Sequence, residues 1–212
     1  MRTALIDYGS GNIASAAKAL ARAANDTDKQ NVIVTADPNA VKAADRIVLP
    51  GVGAFADCMR GLSAVPGMIE ALNEAVLKNG KPFLGICVGM QLMATAGREF
   101  GSHPGLNWIE GDVVPVKPAD PALKIPHMGW NEIELAQNHP LFVGLEPGAN
   151  AYYVHSFEMK PVNPAHLLAT TNYGGTVTAA IGRGNLVGTQ FHPEKSQAVG
   201  LKILANFLNW TP

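Results

Sequence analysis

The chain has 212 residues, of which 47% are hydrophobic and 16% are charged, and its formal net charge is −1. This composition predicts a compact folded protein rather than a disordered one, and the small net charge gives no overall attraction to nucleic acid or to an anionic membrane. Because no repeat, low-complexity tract or linker divides residues 1–212, we expect a single domain with a sizeable core.

The first part of the chain alternates strand and helix patterns. Strands are predicted at residues 4–7, 31–35, 46–49 and 82–86, and helices at residues 13–24 and 68–78. Short apolar strands separated by helices are typical of a parallel sheet that is covered on both faces. The sequence therefore predicts an α/β fold with an open, mostly parallel central sheet flanked by helices.

After about Gly97 the pattern changes to closely spaced strands. They are predicted at residues 113–116, 130–135, 151–157, 167–172, 177–181 and 186–190. Because few helices separate these strands, we expect them to extend the sheet in an antiparallel manner through the C-terminal half. A last helix at residues 196–210 carries Val199, Ile203 and Phe207 at helical spacing and is expected to dock on the core.

The cysteine content and the apolar runs bear on the cellular setting. Cys58 and Cys87 are the two cysteines, and residues 1–7 resemble a first strand rather than a signal peptide. The most apolar run, residues 82–96, contains Gln91 and is shorter than the roughly 18 residues that span a bilayer. We expect a cytoplasmic protein with free thiols and no membrane association. Without a C-x-x-C or H-x-x-x-H pattern, no metal site or cofactor is expected.

The segment Gly85-Ile86-Cys87-Val88-Gly89 has the pattern of a nucleophile elbow, a sharp turn between a strand and a helix. Its glycines allow the tight backbone, and the helix that follows places the sulfur of Cys87 where the helix dipole favours a thiolate. The alternative is an inert buried cysteine in an ordinary strand-to-helix connection.

Two further segments follow predicted strands. In Gln190-Phe191-His192-Pro193-Glu194, the carboxylate of Glu194 could orient His192 as a base for a distant nucleophile, although a solvated surface loop is the alternative. In open α/β sheets, active sites gather beyond the carboxyl ends of the strands, so this segment and Cys87 are expected to meet.

The glycine-rich turn Pro50-Gly51-Val52-Gly53 follows the third predicted strand. Its backbone N–H groups, together with that of Val88, could form an oxyanion hole. The alternatives are an ordinary glycine turn or a weak phosphate loop, and the G-x-x-x-x-G-K-[ST] pattern of a nucleotide site is absent.

These three segments, Pro50-Gly51-Val52-Gly53, Gly85-Ile86-Cys87-Val88-Gly89-Met90-Gln91 and His192-Pro193-Glu194-Lys195-Ser196, together resemble the triad-type (class I) glutamine amidotransferases. Within that group, three more segments are similar to the glutaminase subunits of imidazole glycerol phosphate synthase, an enzyme of histidine biosynthesis. They are Ile6-Asp7-Tyr8-Gly9-Ser10-Gly11-Asn12, Pro126-His127-Met128-Gly129-Trp130-Asn131 and Tyr152-Tyr153-Val154-His155-Ser156. The Pro126 segment is the most specific, since the elbow and His-Pro-Glu occur across the wider group.

The resemblance implies a role for each matching residue. Cys87 would attack the side-chain amide of L-glutamine, His192 would transfer protons and Glu194 would orient His192, giving glutamate and ammonia. The oxyanion would be held by backbone N–H groups near three residues, Gly51, Val52 and Val88. Glutamine would be bound by four residues, Gly53, Gln91, His155 and Ser156. For His155, the alternative is a histidine whose hydrogen bonds are satisfied within the protein.

The resemblance also implies a partner. It is a (βα)8-barrel cyclase subunit in a heterodimer, which uses ammonia to convert the ribulosyl phosphate intermediate PRFAR into imidazole glycerol phosphate and the ribotide AICAR. Asn12 and Lys195 are candidates for that interface, and the Pro50-Gly51-Val52-Gly53 turn is the candidate for a gate that opens when the partner is bound. The alternatives are a triad glutaminase of another synthase, or a catalytically silent subunit on the same fold.

Overall fold

The structure is a computed structural model that describes residues 1–24 and 31–212. Its main sheet begins with four parallel strands, β1 (Arg2–Ile6), β2 (Asn31–Thr35), β3 (Arg46–Gly51) and β4 (Phe83–Cys87). The helices of the described residues are α1 (Ile13–Ala24), α2 (Pro38–Ala43), α3 (Phe55–Ala64), α4 (Met68–Leu72), α5 (Val88–Gln91) and α6 (Gln197–Asn209). Helix α4 continues as a π-helical segment over Asn73–Lys78.

The remaining strands are β5 (Ala96–Gly97), β6 (His103–Pro104), β7 (Gly111–Pro115), β8 (His127–Glu132), β9 (Glu134–Leu135), β10 (Asn150–His155), β11 (Phe157–Pro161), β12 (Leu167–Asn172), β13 (Thr176–Arg183) and β14 (Leu186–Thr189). In the described residues the main sheet has eight strands in the order β2-β1-β3-β4-β14-β13-β12-β9. Strand β14 is parallel to β4, whereas β13, β12 and β9 pair in an antiparallel manner. The predicted α/β fold, with a parallel sheet and an antiparallel extension, is confirmed.

The expectation that all the later strands extend the main sheet was wrong in part. Strands β8 and β10 form a separate two-stranded sheet, and β7 and β11 belong to a four-stranded sheet with β5 and β6. The predicted strand at residues 151–157 is two strands that are interrupted at Ser156. The alternation of side chains identifies strands, but it does not identify their partners, because pairing depends on contacts distant in sequence.

Two helices were not predicted. Helix α2 begins with a local signal, since Asp37 accepts a hydrogen bond from the backbone N–H of Asn39 (2.9 Å) and Pro38 occupies its first position. Helix α3 has no side-chain cap of its own; the backbone N–H of Phe55 instead donates to the carboxylate of Glu99, 44 residues away (2.8 Å).

The order of the strands brings the predicted site segments together. Strand β4 lies between β3 and β14, and Gly51 is paired with Cys87 at the carboxyl end of the sheet. Thr189 is paired with Ile86, so the chain leaves β14 beside Cys87. None of the helices in residues 1–24 and 31–212 is both long and apolar enough to cross a membrane.

Candidate active site

Cys87 lies at a strained turn between β4 and α5. Its backbone has φ 54° and ψ −113°, a conformation that L-residues rarely adopt and that costs of order 1–3 kcal/mol. A Cβ atom on Gly89 would be 1.9 Å from the carbonyl oxygen of Leu49, and one on Gly85 would be 2.6 Å from that of Gly89. Only glycine fits at either position, so the close packing of β3, β4 and α5 holds the nucleophile elbow in place.

The helix after Cys87 is too short to activate the thiol by its dipole. Helix α5 spans four residues, Val88–Gln91. The macrodipole is a sum over aligned peptide units, and one helical turn contributes little to it. The predicted activation by the helix dipole is therefore weak, and a thiolate at Cys87 would depend on individual charged and hydrogen-bonding neighbours.

His192 and Glu194 form a buried pair. The Nδ1–H group of His192 donates to Oε1 of Glu194 at 2.7 Å, and the two side chains are 2% and 3% exposed. The His192 backbone is fixed on both sides, since its N–H donates to the carbonyl of Tyr152 and its own carbonyl accepts from the hydroxyl of Ser196 (2.7 Å). With Nδ1 protonated, Nε2 is the nitrogen that can accept or return a proton.

The charge of His192 is coupled to Cys87. Burial by itself lowers the His192 pKa, but Cys87 and Glu194 outweigh burial and raise that pKa from 6.5 to about 10. Within the described residues Nε2 has no hydrogen-bond partner of regular geometry. Because Cys87 contributes to the raised pKa of His192, the two side chains lie close together, although no regular hydrogen bond joins Nε2 to the sulfur.

A cavity of about 300 Å³ opens beside Cys87. This volume is at the lower end of the range for small-molecule sites. The residues that line it are Val52, Gly53, Cys87, Val88, Gln91, Glu99, Pro126, Val154, His155, Ser156, Phe157 and His192. The structure thus brings eight of the candidate site residues to one cavity, while Glu194 lies behind His192 and Gly51 ends β3.

The amide of Gln91 is fixed in one orientation. Its Nε2 donates to the backbone carbonyl of Phe157 (3.1 Å) and to Oε1 of Gln190 (3.0 Å). A carbonyl can only accept, so the NH₂ group must lie on this side. The Oε1 atom of Gln91 is left as an acceptor, and Gln91 lines the cavity together with Glu99. Sequence reasoning missed Glu99, because no motif marks it.

Both ring nitrogens of His155 are used within the protein. Nδ1 donates to the carbonyl of Phe157 (2.9 Å) and Nε2 accepts from Nδ1 of His127 (3.0 Å). Nε2 of His127 in turn accepts from Asn131 (3.2 Å). Burial lowers the pKa of each histidine to about 4, so both are neutral near pH 7. His155 therefore lines the cavity, but its ring nitrogens are not free to bind a ligand.

The candidate oxyanion turn, Pro50-Gly51-Val52-Gly53, has a defined orientation. The N–H of Val52 donates to the hydroxyl of Ser10 (3.2 Å), which donates back to the Val52 carbonyl (2.8 Å). The thiol of Cys58 donates to the same carbonyl (3.3 Å), and burial raises the pKa of that thiol, so it stays protonated. In this conformation the Val52 N–H is not available to an oxyanion, whereas Val88 begins α5 and its N–H has no partner in the helix.

Neither of the two candidate interface residues is among the residues that line the cavity. Asn12 is half-buried, and its carbonyl accepts the first hydrogen bond of α1 from Ala16 (2.9 Å). Lys195 is exposed, and its Nζ lies 5.6 Å from the ring centre of Tyr152, which packs edge-on against Trp130.

A family model described as "Glutamine amidotransferase class-I" matches residues 4–210. A protein of Rhodospirillum rubrum named "Imidazole glycerol phosphate synthase subunit HisH" is 61% identical, with all of both chains covered. A protein of the same name from Brucella suis is 57% identical, with all of both chains covered. Another, from Zymomonas mobilis, is 56% identical, and the match covers 99% of this chain and 96% of the relative.

Solved structures resemble the chain at the level of the fold. A crystal structure described as a glutamine amidotransferase has a TM-score of 0.71 at 14% identity and covers 97% of each chain. A glutamine amidotransferase of Thermotoga maritima has a TM-score of 0.59 at 18% identity, and the match covers 92% of this chain and 76% of that protein.

Proposed function

We propose a function for this chain from the premise that it belongs to the class I glutamine amidotransferases, and within them to the family of the imidazole glycerol phosphate synthase subunit HisH. The chain is an enzyme subunit that uses glutamine. We infer that it hydrolyses L-glutamine and passes the ammonia to a (βα)8-barrel cyclase subunit, which converts PRFAR to imidazole glycerol phosphate and AICAR. The observation that carries the inference is the strained Cys87, which shares one cavity wall with His192, while Glu194 is hydrogen bonded to His192 from behind.

The reaction would begin from a thiolate and an imidazolium. A His192 pKa of about 10 favours that ion pair at neutral pH. The thiolate attacks the amide carbon, and the electron pair of the carbonyl moves to oxygen. When the tetrahedral intermediate collapses, His192 gives its Nε2 proton to the departing nitrogen, and ammonia leaves. Water then attacks the thioester while Nε2 accepts its proton, and glutamate is released with the thiolate restored.

Glutamine is recognised in the same cavity through acceptors. Glu99 and Gln91 both line the wall, and neither a carboxylate nor an amide oxygen would favour an anion. We propose that Glu99 binds the α-ammonium group of glutamine by charge. Gln91 accepts a hydrogen bond from the substrate. Gly53 and Ser156 line the cavity and complete the binding site.

The cyclase would dock on the surface beside the cavity mouth. Met128 and Trp130 alternate on β8 and are 62% and 50% exposed, and Trp130 packs against Tyr152 beside Lys195. Large aromatic side chains with an adjacent cation are typical of interface centres. We propose that this surface and Asn12 contact the cyclase.

The chain would act as a single domain in the cytoplasm.

The hydrogen bond that the Val52 N–H donates to Ser10 indicates that the partner controls the formation of the oxyanion hole. Held by Ser10, this group cannot stabilise an oxyanion. We propose that docking of the loaded cyclase releases the turn, so that the Val52 N–H joins that of Val88 in the oxyanion hole.

The proposal is tested by measuring glutamate release with and without the cyclase and its ribulosyl ligand. We expect stimulation by the loaded cyclase, and a lack of stimulation would refute the assignment to this synthase. Cys87→Ala should abolish glutamine turnover but leave synthesis from added ammonium salts intact in the complex. Glutamine turnover in Cys87→Ala would instead show that another group is the nucleophile.

A further inference from the structure

Gln190 is a buried amide beside Cys87 to which the proposed reaction gives no role. It follows β14 directly, it is 0% exposed, and its backbone N–H donates to the carbonyl of Ala179 (2.8 Å). Its side chain reaches the nucleophile, with Nε2 3.6 Å from Sγ of Cys87, a hydrogen bond lengthened by the larger radius of sulfur. A buried side-chain amide is costly unless both of its ends are hydrogen bonded.

The orientation of the Gln190 amide follows from a series of hydrogen bonds that begins at the backbone carbonyl of Phe157. The carbonyl of Phe157 accepts from Nε2 of Gln91, so the other hydrogen on that nitrogen meets Oε1 of Gln190. The remaining end of Gln190, which faces Cys87, must then be its NH₂ group. Flipping Gln91 would set its Oε1 against the Phe157 carbonyl, and flipping Gln190 would set its NH₂ group against that of Gln91, so a donor is directed at the sulfur.

This donor has a consequence for the buried sulfur. Cys87 is 4% exposed, and a buried thiolate without donors is strongly disfavoured against a thiol. The helix after it is one turn long, so its dipole supplies little stabilisation. A donated hydrogen bond stabilises the charged form and also fixes the direction of the sulfur lone pairs. The same amide holds Gln91 with its Oε1 toward the cavity.

We propose that Gln190 is a positioning residue with two roles: it donates to the Cys87 thiolate, and it keeps the acceptor of Gln91 directed at the substrate. The second role rests on the proposed function, whereas the first concerns only the state of the thiol. A hydrogen bond to a charged group is worth roughly a 10- to 100-fold change in an equilibrium. Loss of the donor should therefore move the protonation of Cys87 by about one to two pH units.

The test uses Gln190→Glu, which keeps the shape and still accepts from Gln91 but turns an acceptor toward the sulfur. The readout is the rate of alkylation of Cys87 by iodoacetamide as a function of pH, with the modified peptide identified by mass spectrometry to separate Cys87 from Cys58. We expect the midpoint of the pH profile to rise by about one unit or more. The matched control is Gln197→Glu, the same change at an exposed position nearby, which should leave the midpoint unchanged.

Gln190→Met separates the two roles, since it removes the donor and also the acceptor that holds Gln91. In glutamine hydrolysis we expect kcat to fall in both variants and KM to rise mainly in Gln190→Met. Should Gln190→Glu not fold, the same rise of the midpoint in Gln190→Met carries the test. Variants that lose thermal stability but keep the wild-type alkylation profile would overturn the proposal and leave Gln190 a packing residue.

Alkylation needs no glutamine turnover, so this result is independent of the proposed function. A wild-type protein without glutaminase activity would refute that function, while the pH profile would still decide whether Gln190 sets the state of Cys87.

Discussion

The hydrogen bonds between Ser10 and Val52 lead to a quantitative prediction about glutamine hydrolysis by the chain without its partner. We predict that Ser10→Ala raises glutamine hydrolysis in the absence of the cyclase. In the structure the Ser10 hydroxyl accepts from the Val52 N–H at 3.2 Å and donates to the Val52 carbonyl at 2.8 Å. Both bonds hold the N–H away from an oxyanion. Alanine removes both, so the turn should reach its active orientation more often.

The size of the effect follows from the two bonds. Each net hydrogen bond contributes about 0.5–1.5 kcal/mol, and the lower half of that range applies because Ser10 is half-exposed and water can replace it. The two bonds together are worth about 1–2 kcal/mol, which corresponds to a roughly 5- to 30-fold shift in the population of the turn. The Cys58 thiol still holds the Val52 carbonyl, so the turn is not freed completely.

The assay compares glutamate release by the isolated chain with release by the complex and its ribulosyl ligand. Because the fully stimulated state no longer uses the Ser10 bonds, its rate should be unchanged, and the stimulation factor should fall by the same roughly 5- to 30-fold. Ser63→Ala, at an exposed position in α3, is the matched control. Unchanged basal activity in a folded Ser10→Ala protein would refute the reasoning that these bonds restrain the turn.

Three further predictions follow from the buried pair and the exposed surface. Glu194→Gln should lower kcat by about 100-fold or more while KM changes little, because His192 loses its orienting charge. The free energy of unfolding should decrease as the pH rises. The His192 pKa is raised from 6.5 to about 10, so the stabilisation that protonated His192 gives to the fold is fully present below about pH 6.5 and is lost as the pH rises through 10. Trp130→Ala should weaken cyclase binding by roughly 30-fold or more, as for an interface hot spot.

Each of these predictions has its own measurement. Steady-state kinetics with saturating cyclase test Glu194→Gln, and a rise in KM at constant kcat would contradict an orienting role. Urea denaturation at pH 6 and pH 9.5 tests the linkage, and the decrease should be smaller in Glu194→Gln; an equal decrease would exclude this pair as its cause. Titration calorimetry tests Trp130→Ala against Val143→Ala, which removes a comparably exposed apolar side chain from a different surface.

The parts of the fold that the sequence predicted correctly are those with strong local patterns. Helix α1 and strands β2 and β12 have the predicted bounds, because side-chain periodicity and breaking residues act within a few positions. Helix α3 was missed, since the group that caps it, Glu99, is 44 residues away. The separate sheets of β7 and β11 and of β8 and β10 were also missed, because strand pairing is a non-local choice.

The candidate site shows the same division. The elbow was identified from Gly85 and Gly89, whose role is local and steric, and His192 and Glu194 were identified because their contact spans two residues. The roles of these residues remain predictions. The meeting of Cys87 and His192 at one cavity follows from strand order, and Glu99, which lines the same cavity, has no sequence signal.

What the sequence determined by itself was the chemistry within short segments: a cysteine between glycines, a histidine two residues from a carboxylate, and a glycine-rich turn at the end of a strand. What only the tertiary structure decided was the direction of each hydrogen bond between those segments. The Val52 N–H points to Ser10, and the amide of Gln190 turns its donor to Cys87. The physical reason is that a donor takes its direction from whichever acceptor lies within hydrogen-bonding distance, and that acceptor is supplied by packing between segments distant in sequence.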